Sequence, residues 1–573
     1  MSLAVSRLLS VSLLSLVPYV ALANPGGALT RETKLTANDA ASLDEFGFSV
    51  AVSGDTAVVG SPGEFREFPV PGAAYVFVRS GGLWNLQQKL TATDAAPGDR
   101  FGSSVAVSGD TAVVGAPFDS DAGLASGSAY VFVRSGGVWS QQQKLTASDV
   151  ENGDEFGLSV AVSGNTAVVG TLFGDSSIAN SGAAYVFLRS GSVWSPQQKL
   201  TASDASPGVA FGFSVGVSGD TAVVGAYQER GIGSAYVFVR SGGVWSQQQK
   251  LTASQYAGGN AFGYSVAVNR DTVLVGAPLD LQAGFASGSA YVFVRSGSVW
   301  SETQKLTASD TAIGDQFGLF VAVSGDTAMV GAPGGYRAHA AGSAYVFARS
   351  GGLWTEQQKL SASDAAEGDL FGISVAVSGN TTVVGAAFDD DGGTNSGSAY
   401  VYEPELSALS PAKVWVGMKN SALDLRAEVF LNATKVGQGE LNNVSGGGAG
   451  FNNALLNTIP LTLTGGVVSA PSGAQLSIKV SARRTCFGGG HNSGTARLWY
   501  NGQPVDSGAS RNAGSRFDAT ISGITSDYFL RSGSALSTTA GSSRTFADAF
   551  VNSSAPCPAR PFTSFGTWSM TLP

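Results

Sequence analysis

Histidine is almost missing from this chain: His339 and His491 are the only two among 573 residues. A Ser-His-Asp hydrolase would have to use one of them as its base. Cysteine is as scarce, with Cys486 and Cys557 alone, and neither has further Cys or His ligands at zinc spacing. Charged residues make up only 13% of the chain, and the net charge is −9 without any basic cluster. Nucleic acid is therefore not an expected partner, because phosphate neutralisation needs lysine and arginine concentrated on one face. Long apolar runs are absent beyond the first residues. The segment Leu8–Val20, preceded by Arg7 and followed by Ala21-Leu22-Ala23, reads as a signal peptide cleaved after Ala23. It is shorter than the ~20 residues of a bilayer span. The mature protein is thus expected to be exported, secreted or at the cell surface, with no membrane span. In that oxidising setting the two cysteines are expected to pair, closing a long loop worth about 4 kcal/mol in the chain-entropy model.

What the chain has in abundance is glycine, 77 residues, and hydrophobic residues at 43%, a composition for turn-rich globular domains. The stretch "FGFSVAVSGDTAVVG" at Phe46–Gly60 returns six more times. Its Phe-Gly falls at Phe46, Phe101, Phe156, Phe211, Phe262, Phe317 and Phe371, at spacings of 55, 55, 55, 51, 55 and 54 residues. Each period holds four strand-like runs of the types "FGxSVAVSG", "DTAVVGAP", "SAYVFVRSG" and "VWSQQQKLTASD", each ending in Gly, Asp or Ser turn chemistry. Short turns make neighbouring runs antiparallel. One period is then one four-stranded sheet, which cannot cover its own faces, so the copies stack around an axis. The expected fold class is all-β: a seven-bladed β-propeller followed by a β-sandwich.

The chain ends of the repeat support closure. The seventh copy stops at "SGSAYVYEPEL" without its Trp-containing run, while "TKLTANDAASLDEFG" at Thr33–Gly47 supplies such a tail ahead of the first Phe-Gly. The strand near Leu35 is expected to complete the seventh blade by pairing near Tyr400. These motifs resemble the FG-GAP repeat, known from integrin α chains and secreted bacterial proteins, over roughly residues 32–405. Gly-Ala-Pro stands intact at Gly115, Gly276 and Gly331 and is altered in the other copies. The resemblance implies a β-propeller and a binding or adhesion role. In the integrin form a calcium loop of the type Asp-x-Asn-x-Asp-Gly follows Phe-Gly; here only "VSGDT" or "VSGNT" fills the place, too few oxygens for a calcium cage. No cofactor is assigned, and Ca2+ is left to the loop acids considered next.

Positions alike in all copies hold the scaffold, and positions that differ are free for recognition. With strands lettered A to D from the axis outward, the variable B–C connections fall at one end of the ring together with the D–A connections. Candidate ligand-binding residues on that face are Arg66, Arg230, Tyr336, Arg337 and His339. Candidate metal ligands are the i, i+2 pairs Asp119/Asp121 and Asp389/Asp391, for which solvated turn capping is the competing reading. The D–A repeat "SDAxxGDxFG" also reads as turn capping. The one nucleophile-elbow match, Gly212-Phe213-Ser214-Val215-Gly216, is the fourth copy of "FGxSVAV", so no catalytic residue is assigned.

After residues 406–411, read as a linker, the composition changes. Residues 412–573 show alternating strand patterns and are expected to form a β-sandwich holding the Cys486–Cys557 bond. The expected function is that of an exported, monomeric, non-catalytic binding protein presenting its B–C loops to an extracellular glycan or protein. The alternatives are a glycan-active enzyme using loop carboxylates and a purely structural envelope module.

Overall fold

The computed structural model describes residues 29–63, 70–80, 82–174, 181–255, 259–281, 283–334, 340–409, 411–417, 422–445, 455–464, 468–470, 474–484, 493–500, 516–521, 524–530, 534–537, 545–552 and 562–572. The expected signal segment and both cysteines, Cys486 and Cys557, lie outside them. Seven four-stranded antiparallel sheets succeed one another along the first part of the chain. In the first blade the strands run Ser49–Ser53, Thr56–Ser61, Ala73–Ser80 and Leu83–Leu90, in that order from the axis outward. The period-2 pattern explains the burial. Every residue of Thr56–Ser61 is buried, being covered by a neighbouring blade on each face, whereas the outer strand alternates exposed Leu83 with buried Trp84.

The seventh blade takes its outer strand from the N-terminus. Arg31–Leu35 pairs antiparallel with Ser398–Glu403, with Lys34 opposite Tyr400 and Leu35 opposite Ala399. The strand near Leu35 thus pairs with the strand that holds Tyr400, as expected. The six other outer strands each carry a bulge against the third strand, at Val76/Phe77 in the first blade. The N-terminal strand pairs without one.

Contacts between blades explain the repeated residues. The left-handed Phe-Gly glycine of one blade meets the Gly-Ala glycine of the blade before it: a Cβ on Gly60 would collide with the Gly102 carbonyl, and one on Gly102, at φ +98°, with the carbonyl of Ala73. No side chain fits there. The serine two residues beyond each Phe-Gly donates across the same gap to the next blade's glycine carbonyl, as Ser49 does to Gly102 at 2.8 Å. This bond recurs from Ser104, Ser159, Ser214 and Ser265, and Ser374 makes it to Gly47, closing the ring. Phe320 holds the position in the sixth blade. Farther out, the Gln88 amide makes two bonds with the Trp139 backbone, donating at 2.7 Å and accepting at 2.9 Å. At the closure Gln358 makes the same pair with Leu29, accepting at 2.8 Å and donating at 3.0 Å. Seven parallel bridges, from Gly72–Phe101 round to Gly397–Phe46, complete the ring.

Seven apolar clusters fill the gaps between blades. That between the seventh and first holds Phe46, Tyr75 and Phe77 with Val383 and Val401. Phe46 stands edge-on to Tyr75 and Phe77, at ring-centroid distances of 5.3 and 6.1 Å.

The segment expected to be a linker is not one. Glu405–Leu409 is a strand that pairs with Val468–Ser469 and with the strand Arg516–Ile521. The reason lies in burial: Leu406 is fully buried in the C-terminal core, so the chain leaves one sheet and enters the next within a residue, at Pro404. The C-terminal part consists of two antiparallel sheets sharing one apolar core, a β-sandwich, with Leu425, Val429, Ile478 and Trp568 contributed by one sheet and Val414, Val416, Ile459 and Leu498 by the other. Buried Glu403 joins the two parts. It pairs with Arg79 of the first blade and accepts from Ser469 Oγ of the sandwich at 3.0 Å.

Candidate functional site: the loop face and its lysine-centred acid clusters

The B–C and D–A connections gather at one end of the ring, as the strand order requires. Of the expected ligand-binding residues, Arg66, Tyr336, Arg337 and His339 lie outside the described residues. Arg230 falls in a short 3-10 turn, Glu229–Gly231. His491 also lies outside the described residues.

Both expected aspartate pairs are brought together, each with a third acid contributed by the D–A connection. Asp119 and Asp121 meet Asp94; Asp389 and Asp391 meet Asp364. Each group surrounds a lysine of the blade's outer strand. Lys144 Nζ stands 2.8 Å from Asp94, 2.8 Å from Asp119 and 2.6 Å from Asp121. Lys34, on the N-terminal strand, stands 2.7 Å from Asp364 and 2.9 Å from Asp389 and also pairs with Asp391. The tyrosine of the third strand adds a donor: Tyr130 Oη lies 2.6 Å from Asp119, and Tyr400 Oη lies 2.7 Å from Asp389. Local turns hold the inner aspartates, since Asp119 accepts the Asp121 N–H at 3.0 Å and Asp389 the Asp391 N–H at 3.0 Å.

Burial drives the Asp119 carboxyl up, but the hydrogen bonds from Lys144 and Tyr130 outweigh it and leave the group below the usual carboxylate range. The Lys144 ammonium suffers from burial too, and its three carboxylate partners raise it well above an ordinary lysine despite that. Three carboxylate oxygens within reach of one point are also what a hard cation takes. In both clusters the positive charge at that point is already supplied by the chain.

The sequence reading missed this lysine. Its signal was present, because Lys and Tyr recur in all seven copies, at Lys34, Lys89, Lys144, Lys199, Lys250, Lys305 and Lys359 and at the tyrosine of each "AYV". The other blades keep a reduced version. Lys89 and Tyr75 share Asp39, at 2.7 and 2.8 Å, and Lys359 and Tyr345 share Asp310, at 2.6 and 2.7 Å. The second acid of the D–A repeat is a turn cap, as expected. Asp99 accepts the Ala96 N–H at 2.7 Å and Asp369 that of Ala366 at 2.7 Å.

The serine of the nucleophile-elbow match has a structural partner. Ser214 Oγ donates to the Gly263 carbonyl at 3.0 Å, the interblade bond that its counterparts make. No helix among the described residues is long and apolar enough to cross a membrane.

Seven blades, a strand-latched closure and glycine-to-glycine packing between neighbours define a closed β-propeller. The FG-GAP repeat family model matches residues 29–77, 84–132, 139–187, 194–238, 245–293, 300–347 and 354–402, and the chain belongs to this family. The matched unit is offset from the blade. Its first copy begins at Leu29, just ahead of the strand Arg31–Leu35 that completes the seventh blade. Comparison with curated proteins finds no match to the chain.

Proposed function

We propose that this is an exported, non-catalytic binding protein whose propeller presents the B–C loop face to an extracellular glycan or protein, in adhesion or matrix contact. The observation that carries the reading is the contrast between the two ends of the ring. Scaffold positions repeat in every blade, while the B–C connections differ in length and residue type on rigid strands, the arrangement in which loops serve recognition. The FG-GAP family supports a binding module in general terms. Against a glycan-active enzyme stands the use of the loop carboxylates: Asp94, Asp119, Asp121, Asp364, Asp389 and Asp391 are engaged by lysine, and Asp119 and Asp389 are buried. A catalytic pair would need one acid held protonated and open to substrate. We further infer that the lysines make the two acid clusters independent of Ca2+.

The test is retention of the full-length protein on an array of glycans and matrix proteins, with and without a chelator, alongside a turnover assay on the same polysaccharides. Retention without product, unchanged by chelator, is expected. Product formation abolished by Asp389→Asn with Asp391→Asn would establish the enzyme instead.

A further inference from the structure

The seven copies act as controls for one another, and at one place on the loop face two of them depart from the rest together. The residue after each Phe-Gly lies at the loop-face end of the innermost strand. It is Ser103, Leu158, Leu319 or Ile373 in four blades, Phe48 in the first, but Phe213 in the fourth and Tyr264 in the fifth. The residue after the Gly-Ala pair of the fourth blade is Tyr227, where Pro117, Pro278 and Pro333 stand elsewhere. The fold brings these three rings into one cluster, with centroid distances of 4.6 Å for Phe213–Tyr227, 4.8 Å for Phe213–Tyr264 and 5.3 Å for Tyr227–Tyr264. All three are partly exposed.

The loop above them is short. In the fourth blade residues 227–233 connect strands Thr221–Ala226 and Ser234–Ser241, whereas residues 117–127 make the same connection in the second blade. The four residues removed here account for the one spacing of 51 in the repeat. The connection is therefore shortest beside the three clustered rings. The scaffold does not require these rings, since Ser103, Leu158, Leu319 and Ile373 serve after Phe-Gly in four blades, and proline, leucine or alanine stands in place of Tyr227 in every other blade. At the edge exposed Gln228 donates to Tyr227 Oη at 2.7 Å. The acid of the loop, Glu229, is buried and engaged by Lys250 and by Ser234.

We propose that Phe213, Tyr227 and Tyr264 form a binding site for a neutral carbohydrate chain, one pyranose ring lying against the aromatic cluster at the notch between the fourth and fifth blades. Aromatic rings offer an apolar body to the C–H face of a sugar, and Tyr Oη with the Gln228 amide offers the hydrogen bonds its hydroxyls need. This rests on the reading that the loop face binds a ligand, and names the ligand class.

The test uses the full-length protein in affinity electrophoresis and titration calorimetry with laminarin, xylan and chitohexaose, and with collagen and fibrinogen as protein probes. Phe213→Ser with Tyr264→Leu, and separately Tyr227→Leu, install residues that other blades already carry at those positions, so folding is preserved and is checked by an unchanged melting temperature. At least one of the three glycans is expected to bind, with affinity falling at least about tenfold in either variant and unchanged in Phe48→Ser. Glycan binding unaltered in both cluster variants overturns the proposal while leaving the binding face intact. Retention of collagen or fibrinogen alone does the same. Retention of none of the five overturns this proposal and fails to support the binding reading beneath it.

Discussion

Replacing Gly102 by alanine, with Gly109→Ala as its control, separates the packing between blades from ordinary turn strain. Both glycines lie in the second blade and both have positive φ, +98° at Gly102 and +58° at Gly109. A Cβ at Gly109 meets nothing within 4 Å, whereas at Gly102 it would lie 3.0 Å from the Ser61 nitrogen and well inside contact with the Ala73 carbonyl. Left-handed backbone costs an L-residue about 1–2 kcal/mol, and a stiffer unfolded chain returns about 0.4–1 kcal/mol, so Gly109→Ala loses about 1 kcal/mol. At Gly102 the same strain is joined by overpacking worth about 1–3 kcal/mol against backbone that cannot turn aside. Two hydrogen bonds are also disturbed there, the Gly102 N–H to Gly115 at 2.9 Å and the Ser49 hydroxyl to Gly102 at 2.8 Å, at about 1 kcal/mol. The total is about 4 kcal/mol. Scanning calorimetry of the propeller transition should therefore show a loss several times larger for Gly102→Ala than for Gly109→Ala. At roughly 1–2 °C per kcal/mol for a unit of this size, that is a fall of about 4–8 °C against about 1–2 °C. Equal shifts, or a harmless Gly102→Ala, would refute the claim that glycine is required by the approach of neighbouring blades.

Further outcomes follow from other residues. Gly216 stands where six blades have alanine, its φ is not positive, and a Cβ there would reach Val268 Cγ1 at 3.4 Å, an ordinary contact. Gly216→Ala should raise stability by about 0.4–1 kcal/mol in urea unfolding. Lys144→Met leaves buried Asp119 with Tyr130 and the turn N–H alone and should cost about 1.5–3 kcal/mol by the same measurement. Asp39, Asp94, Asp119, Asp149, Asp204, Asp310 and Asp364 all titrate below the ordinary value of 3.8. For Asp39 and Asp310 the lysine hydrogen bond is the largest influence; for the other five, burial acts in the opposite sense and is outweighed by lysine and tyrosine together. A depressed folded pKa means stability that is complete above the unfolded pKa and is lost as pH falls through the folded one. Burial raises Asp44, Asp99, Asp315, Asp369 and Glu155 instead, so these five gain stability on protonation and offset the first losses. The melting temperature should change little from pH 7 to pH 5 and fall steeply only below about pH 4.

Much of this fold was legible in the sequence because each copy repeats the same local rules. Valine and alanine in "SVAVSG" and "TAVVG" read as inner strands, and the missing Trp run of the seventh copy, set against "TKL" at Thr33–Leu35, disclosed the closure. Turn capping by Asp99 and its counterparts was readable because an Asx turn spans only a few residues. The lysine clusters were not readable, since Lys144 meets Asp94 across 50 residues and that pairing depends on how an outer strand packs beside a loop. The aromatic cluster was hidden for a related reason: Phe213 and Tyr264 hold the same place in two successive copies and Tyr227 another place in the first of them, and only the side-by-side arrangement of the fourth and fifth blades joins the three. The strand at Glu405–Leu409 was misread as a linker because "ELSALSP" looks like a turn-rich stretch until the C-terminal core claims Leu406.

The central claim is a ring closed by the protein's own N-terminal strand, and hydrogen exchange tests it most directly. The peptide spanning Leu29–Leu35 should exchange as slowly as the outer strand Val138–Leu145 of the second blade, and in step with its partner Ser398–Glu403. Rapid, unprotected exchange of Leu29–Leu35 while Ser398–Glu403 stays protected would contradict it.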